Sequence, residues 1–184
     1  VSLLWGRQPG VDGIEWVCSG GRERMQPHGI DSVHFDIEPR GSDPDHLADF
    51  LSAYIDMLDD WESGTELSAF VAPYWFSVRP NLARRLRDHD ALDWVALSAY
   101  RNTEQACREE LRLGLSGDPQ TPYYATFEFQ SPSNPVVSEE ITFWGRGTAH
   151  ARDVLSRIAA DPPAPDRFLG TALHSYDAVT DERY

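Results

Sequence analysis

The chain has 184 residues, 41% of them hydrophobic and 11% aromatic, enough to bury the core of one domain and too apolar for a disordered segment. Its 16 basic residues are all arginine and stand against 30 acids, a formal charge of -14. A surface of that sign repels phosphate backbones and argues against a nucleic-acid partner, and no apolar run reaches the roughly 18 residues that span a bilayer.

Cys18 and Cys107 lie far apart, in no CxxC or Cys/His cluster, which argues against a disulfide framework or a zinc site. The N-terminus shows no signal-peptide pattern, and no cofactor-binding motif is visible.

In chain order, "VSLLWG" (1 to 6) reads as a first strand, followed by a weak helical segment near 12 to 25. "SVHFDIE" (32 to 38) is the second strand, ended by Pro39. Asp43 and Pro44 supply the cap and first-turn signals of the clearest helix, on which Leu47, Phe50, Leu51, Tyr54 and Leu58 share a face. "LSAFVAPYW" (67 to 75) is a strand, 80 to 88 a weaker helix, and "DWVALSAY" (93 to 100) a strand. Thr103 opens a helix carrying Ala106, Cys107 and Leu111, and "YYATFEF" (123 to 129) follows as a strand. Thr148 opens a helix with Ala151, Val154, Leu155 and Ile158; "DPPAPD" (161 to 166) is a turn, and "FLGTALHSY" (168 to 176) is the last strand. His150 falls on the surface of its helix.

Alternating β and α units with apolar strands predict a parallel sheet covered by helices. Neither GxGxxG nor GxxxxGK[ST] occurs, which favours a (β/α)8 barrel over an open nucleotide-binding sheet. Parity sharpens this expectation, because alternate side chains of a strand face opposite ways. Val33, Phe35 and Ile37 form an apolar half, while Ser32, His34, Asp36 and Glu38 form a polar half that would point into the barrel. Ala96, Ser98 and Tyr100, then Thr126 and Glu128, then Ala172, His174 and Tyr176 repeat the pattern, with the polar or aromatic residue at the C-terminal end. Active sites of such barrels sit at that end.

"VHFDIEP", "VAPYWF", "LSAYR", "YATFEF" and "LGTALHSYD" resemble successive strand ends of a glycoside-hydrolase-like (β/α)8 barrel. The "DIEP" turn is similar to two groups within that superfamily: chitinase-type barrels, and the retaining glycosidases with catalytic glutamates on strands four and seven. The resemblance makes residues 1 to 184 a single barrel domain of about six βα units, corresponding to strands three to eight. Two units, about 60 residues, would then come from upstream sequence or from another chain.

What the two-glutamate resemblance implies is Glu38 as general acid/base and Glu128 as nucleophile. Asp36, on the same face as Glu38, would raise its neighbour's pKa by like-charge repulsion. The chitinase-type resemblance implies instead that Asp36 orients a substrate acetamide and Tyr100 hydrogen-bonds it, with Glu38 again the acid. Tyr74, Trp75, Trp144 and Tyr176 are candidates to stack on sugar rings. His174 is read as a donor to a substrate hydroxyl or to Glu38, and Arg101 and Asp177 as partners of the carboxylates. His34, Asp36 and Glu38 spread over roughly 13 Å along one strand, too far apart for one metal ion. The expected function is therefore hydrolysis of an O-glycosidic bond with a carbohydrate substrate. The alternative is a catalytically inactive barrel of the same ancestry that binds carbohydrate or a protein.

Overall fold

The structure, a computed structural model, describes residues 2–5, 32–39, 43–61, 66–133 and 137–174, with the backbone alone at 2–5. Six strands form one sheet: β1 (Ser2–Trp5), β2 (Ser32–Phe35), β3 (Glu66–Val71), β4 (Trp94–Ser98), β5 (Tyr123–Glu128) and β6 (Phe168–His174). Every pairing is parallel, and the order across the sheet is the order along the chain. The expected parallel α/β architecture is present. An open doubly wound sheet reverses its strand order at a switch point; the described strands show no reversal.

Among the described residues the helices between the strands are α1 (Pro44–Asp59), α2 (Tyr74–Val78), α3 (Pro80–Arg87), α4 (Glu104–Gly114) and α5 (Thr148–Ala160). Asp43 Oδ1 accepts the Asp45 amide at 2.8 Å and caps α1, with Pro44 filling a position whose N–H would be unpaired anyway. Thr103 Oγ1 accepts the Ala106 amide at the start of α4. Gly147, at a φ of 87° that a β-carbon would strain, precedes Thr148. The segment near 12 to 25 and Cys18 lie outside the described residues.

β2 and β3 end three and four residues earlier than their sequence suggests, β4 and β5 two and one. The ladder from β2 to β3 stops at Phe35, so Asp36, Ile37, Glu38 and Pro39 lie beyond the sheet, outside any helix or strand. Pro39 has no amide to pair, and β3 itself ends at Val71. There the Trp75 and Phe76 amides turn back to the Ala72 and Pro73 carbonyls, at 3.1 and 3.0 Å, and start α2 in place of further strand. Pro73, with φ at -56°, suits that turn.

Parity decides where the core forms. Val33, Phe35 and Ile37, with Leu67, Ala69 and Val71, Val95 and Leu97, and Tyr123, Ala125 and Phe127, lie buried beneath the helices. From the helices come Leu47, Leu51, Tyr54, Leu58, Leu86, Leu111 and Ile158. Each large side chain so buried contributes about 1.5–3 kcal/mol. α1 packs against α3, α2 against α3 and α4, and α4 against α5, as a single layer over one face does. On β6 that same face is open: Leu169 and Leu173 are 48% and 41% exposed, and among the described residues no helix follows the strand.

The opposite face carries smaller and more polar groups. Near the start of the strands His34 stacks on Trp94 at 5.3 Å, Trp94 meets Tyr124 edge-on, and the indole N–H donates to Glu66 at 2.7 Å. Burial lowers the His34 pKa to about 4, so this imidazole is neutral; its Nδ1 lies 2.9 Å from the Ser68 hydroxyl. Among the described residues no helix is long and apolar enough to cross a membrane.

One close approach tests the packing of helix on sheet. A β-carbon on Gly114, the last residue of α4, would lie 2.5 Å from Leu97 Cδ1 of β4. Gly114→Ala is expected to destabilise the fold by about 1–3 kcal/mol in urea denaturation, through overpacking.

Candidate active site

The C-terminal ends of β2, β4, β5 and β6 bring together Asp36, Glu38, Tyr100, Glu128 and His174. Glu128 is the last residue of β5, only 3% exposed, and opposite His174 in the ladder. Its Oε2 accepts from His174 Nδ1 at 2.7 Å. Its Oε1 accepts the backbone amides of Phe129 and Gln130 at 2.7 and 2.6 Å, so the side chain folds back onto the turn that follows it. A carboxylate only accepts, which places the imidazole proton on Nδ1.

The backbone at Glu128 is equally fixed. Its carbonyl accepts the Phe143 amide at 3.0 Å and the Thr142 hydroxyl at 3.3 Å, while Thr142 also donates to the Gln130 carbonyl at 2.8 Å. Phe143 packs against Phe127 and Phe129. Thr142 and Phe143 were not legible as site residues, because the sequence shows only a loop there.

Asp36 and Glu38 face the same side as His174, on the segment beyond β2. Burial raises the Asp36 pKa, His174 opposes that rise, and Glu128 adds to it. Glu38 is exposed by surface area at the rim, yet protein crowds it closely enough for burial to be the first cause of its raised pKa. Asp36 is the second cause, as its place on the same face leads one to expect; His174 acts against the rise and Glu128 with it. The strand reading held Glu38 on sheet backbone; it stands instead three residues past the last ladder residue, Phe35.

Tyr100 lies just past β4, its ring stacked on His174 at 5.8 Å and 19°. Burial, then Glu128, Asp36 and Glu38, push its pKa up, so the phenol keeps its proton. Thr126, two residues before Glu128 on the same face, is buried with no partner for its hydroxyl. His174 bonds to Glu128, not to Glu38 as one of the two sequence readings had it.

The aromatic and arginine candidates divide. Trp75 is fully buried, packed against Phe50 and Phe70, and does not present a face to a sugar ring. Tyr74 beside it is 39% exposed, and its pKa is raised by burial and, more weakly, by Glu38. Trp144 is half-buried in the loop after Thr142. Arg101 pairs with Glu110 of α4 and donates to the Tyr100 carbonyl at 2.7 Å, so it braces the β4–α4 connection and not the carboxylates. Cys107, buried in α4, donates to the Arg101 carbonyl at 3.2 Å. His150 is exposed on α5 and donates to the Asn102 carbonyl at 2.8 Å. Tyr176 and Asp177 lie outside the described residues. Among the described residues no group of three or more His, Cys, Asp or Glu side chains is arranged to hold a metal ion.

A carboxyl with a raised folded-state pKa contributes stability that is present below its ordinary value and lost as pH rises. Asp36→Asn removes that penalty, so it is expected to raise Tm at pH 7 and to change it far less at pH 3, where Asp36 is protonated in folded and unfolded chains alike. Thermal melts at the two pH values read the difference, at about 2–4 °C per kcal/mol for a chain of this size.

No protein-family model and no curated protein matches the chain, and its chemistry is read from the groups at this end of the sheet.

Proposed function

We propose that the six strands stand as the third to eighth of a (β/α)8 barrel, and that this barrel hydrolyses O-glycosidic bonds with Glu38 as acid/base and Glu128 as the second carboxylate. Three features of the sheet support the barrel: consecutive strand order, a single helical layer on one face, and on the other small or polar side chains interspersed with Phe70, Trp94 and Tyr124.

One observation carries the function. At the end of the sheet where parallel α/β proteins place their sites, an exposed carboxyl held above its usual pKa stands within the field of a buried carboxylate fixed by hydrogen bonds. Glycosidic hydrolysis needs two such groups with different surroundings, one to move a proton at the rim and one held in place. Tyr74 and Tyr100 supply partly exposed aromatic surface beside them for a sugar ring.

A panel of 4-nitrophenyl glycosides and oligosaccharides, tested with wild type and Glu38→Gln, decides the matter. Turnover by wild type with a loss of about 100-fold or more in Glu38→Gln is expected. Equal activity in the variant would remove Glu38 from the chemistry. A wild type that binds sugars and turns over none would make the chain a catalytically silent barrel.

A further inference from the structure

We propose that the working atom of the Glu128–His174 pair is His174 Nε2, which gives its proton to the leaving oxygen of the glycoside, while Glu38 takes a proton from the attacking water. Glu128 is then a positioning residue that acts through His174 Nδ1. The inference rests on the glycosidase reading above, with Glu38 kept in its base role and the second carboxylate acting through His174.

The hydrogen bonds divide the two residues in this way. A carboxylate offers about four lone-pair positions, and three of those on Glu128 are taken by the Phe129 amide, the Gln130 amide and His174. Its side chain is only 4% exposed, whereas that of His174 is 38% exposed. With Nδ1 pinned on Glu128, the ring turns Nε2 away from it. Among the described residues nothing hydrogen-bonds Nε2. Tyr100, stacked on the imidazole, fixes the plane of the ring.

Charge favours the same division. The groups facing His174 are Glu128 from β5, Asp36 and Glu38 from the segment after β2, and Tyr100 from the end of β4. Arg152 of α5 lies with Thr171 and Leu173 on the opposite face of β6. The hydrogen bond to Glu128 raises the His174 pKa above 6.5, burial opposes it, and the fields of Glu128, Asp36 and Glu38 add to the rise. The imidazolium, which donates from both nitrogens, therefore persists to higher pH than that of an ordinary histidine.

In the reaction, the water oxygen bonds to the anomeric carbon as one of its protons passes to Glu38. The bond from that carbon to the leaving oxygen breaks, and the leaving oxygen receives the Nε2 proton. Solvent then takes the proton from Glu38 and returns one to His174. A single displacement of this kind inverts the anomeric centre.

The test compares wild type, His174→Gln, Glu128→Gln and Glu38→Gln on a 4-nitrophenyl glycoside and on an oligosaccharide of the same sugar. Nitrophenolate leaves without help from an acid, and a sugar alkoxide does not. His174→Gln is expected to lose about 100-fold or more on the oligosaccharide and clearly less on the nitrophenyl glycoside, while Glu38→Gln loses on both. For wild type, kcat/KM should fall as pH rises above 6.5 through the His174 titration. In Glu128→Gln, which keeps the side-chain shape, that alkaline limb should move to lower pH. Proton NMR should show an inverted product. Equal losses of His174→Gln on both substrates, an unmoved alkaline limb or a retained product overturns the inference and leaves the glycosidase reading standing. Absence of glycoside turnover by wild type overturns that reading, and this inference with it.

Discussion

The bond between Glu128 and His174 organises this end of the molecule, and it follows from sheet register. β5 and β6 are parallel neighbours whose last residues pair with one another, so two side chains 46 positions apart in sequence face the same side at the same height. A slip of one residue in that ladder would put the two side chains on opposite faces of the sheet. The register is protected from the other side by Tyr123, Ala125 and Phe127, which fill the core only in the observed phase. Packing on one face of the sheet thus sets the chemistry on the other.

Acid residues at the rim work against the stability that this packing supplies. Burial and mutual repulsion raise the pKa values of Asp36 and Glu38, so ionising either at neutral pH costs the fold free energy. His174 relieves part of that cost as an imidazolium. An arrangement that is locally unfavourable yet held by three hydrogen bonds at its buried member is characteristic of a functional site more than of a structural ion pair. The Arg108–Glu104 pair on α4, and the Arg101–Glu110 pair that ties the β4–α4 connection to it, illustrate the other case, where opposite charges meet and brace a helix.

Much of this was legible in the sequence, and for identifiable reasons. Period-two alternation in "SVHFDI" and "YATFEF" separates the two faces of the sheet, and the structure buries the apolar half. The Asp43–Pro44 pair marks the start of α1, and Thr103 that of α4, because their side chains satisfy helix amides locally. Strand ends were less legible: a run of β-favouring residues does not reveal where the neighbouring strand stops, so Tyr74 and Trp75 read as strand although Pro73 starts a helix there. Partners across the fold were least legible. Arg101 next to a site tyrosine invited a role with the carboxylates, and only the tertiary position of Glu110 shows otherwise. His174 needed the ladder register before Glu128 could be chosen over Glu38.

The central claim is that Glu128 holds Nδ1 of His174 and leaves Nε2 free to exchange a proton. Nitrogen-15 NMR of the His174 side chain, taken through its titration in wild type and in Glu128→Gln, measures this directly. The account predicts that neutral His174 keeps its proton on Nδ1 and that the Glu128→Gln change lowers its pKa. A neutral ring protonated on Nε2, or a titration unmoved by the loss of the Glu128 charge, would contradict it.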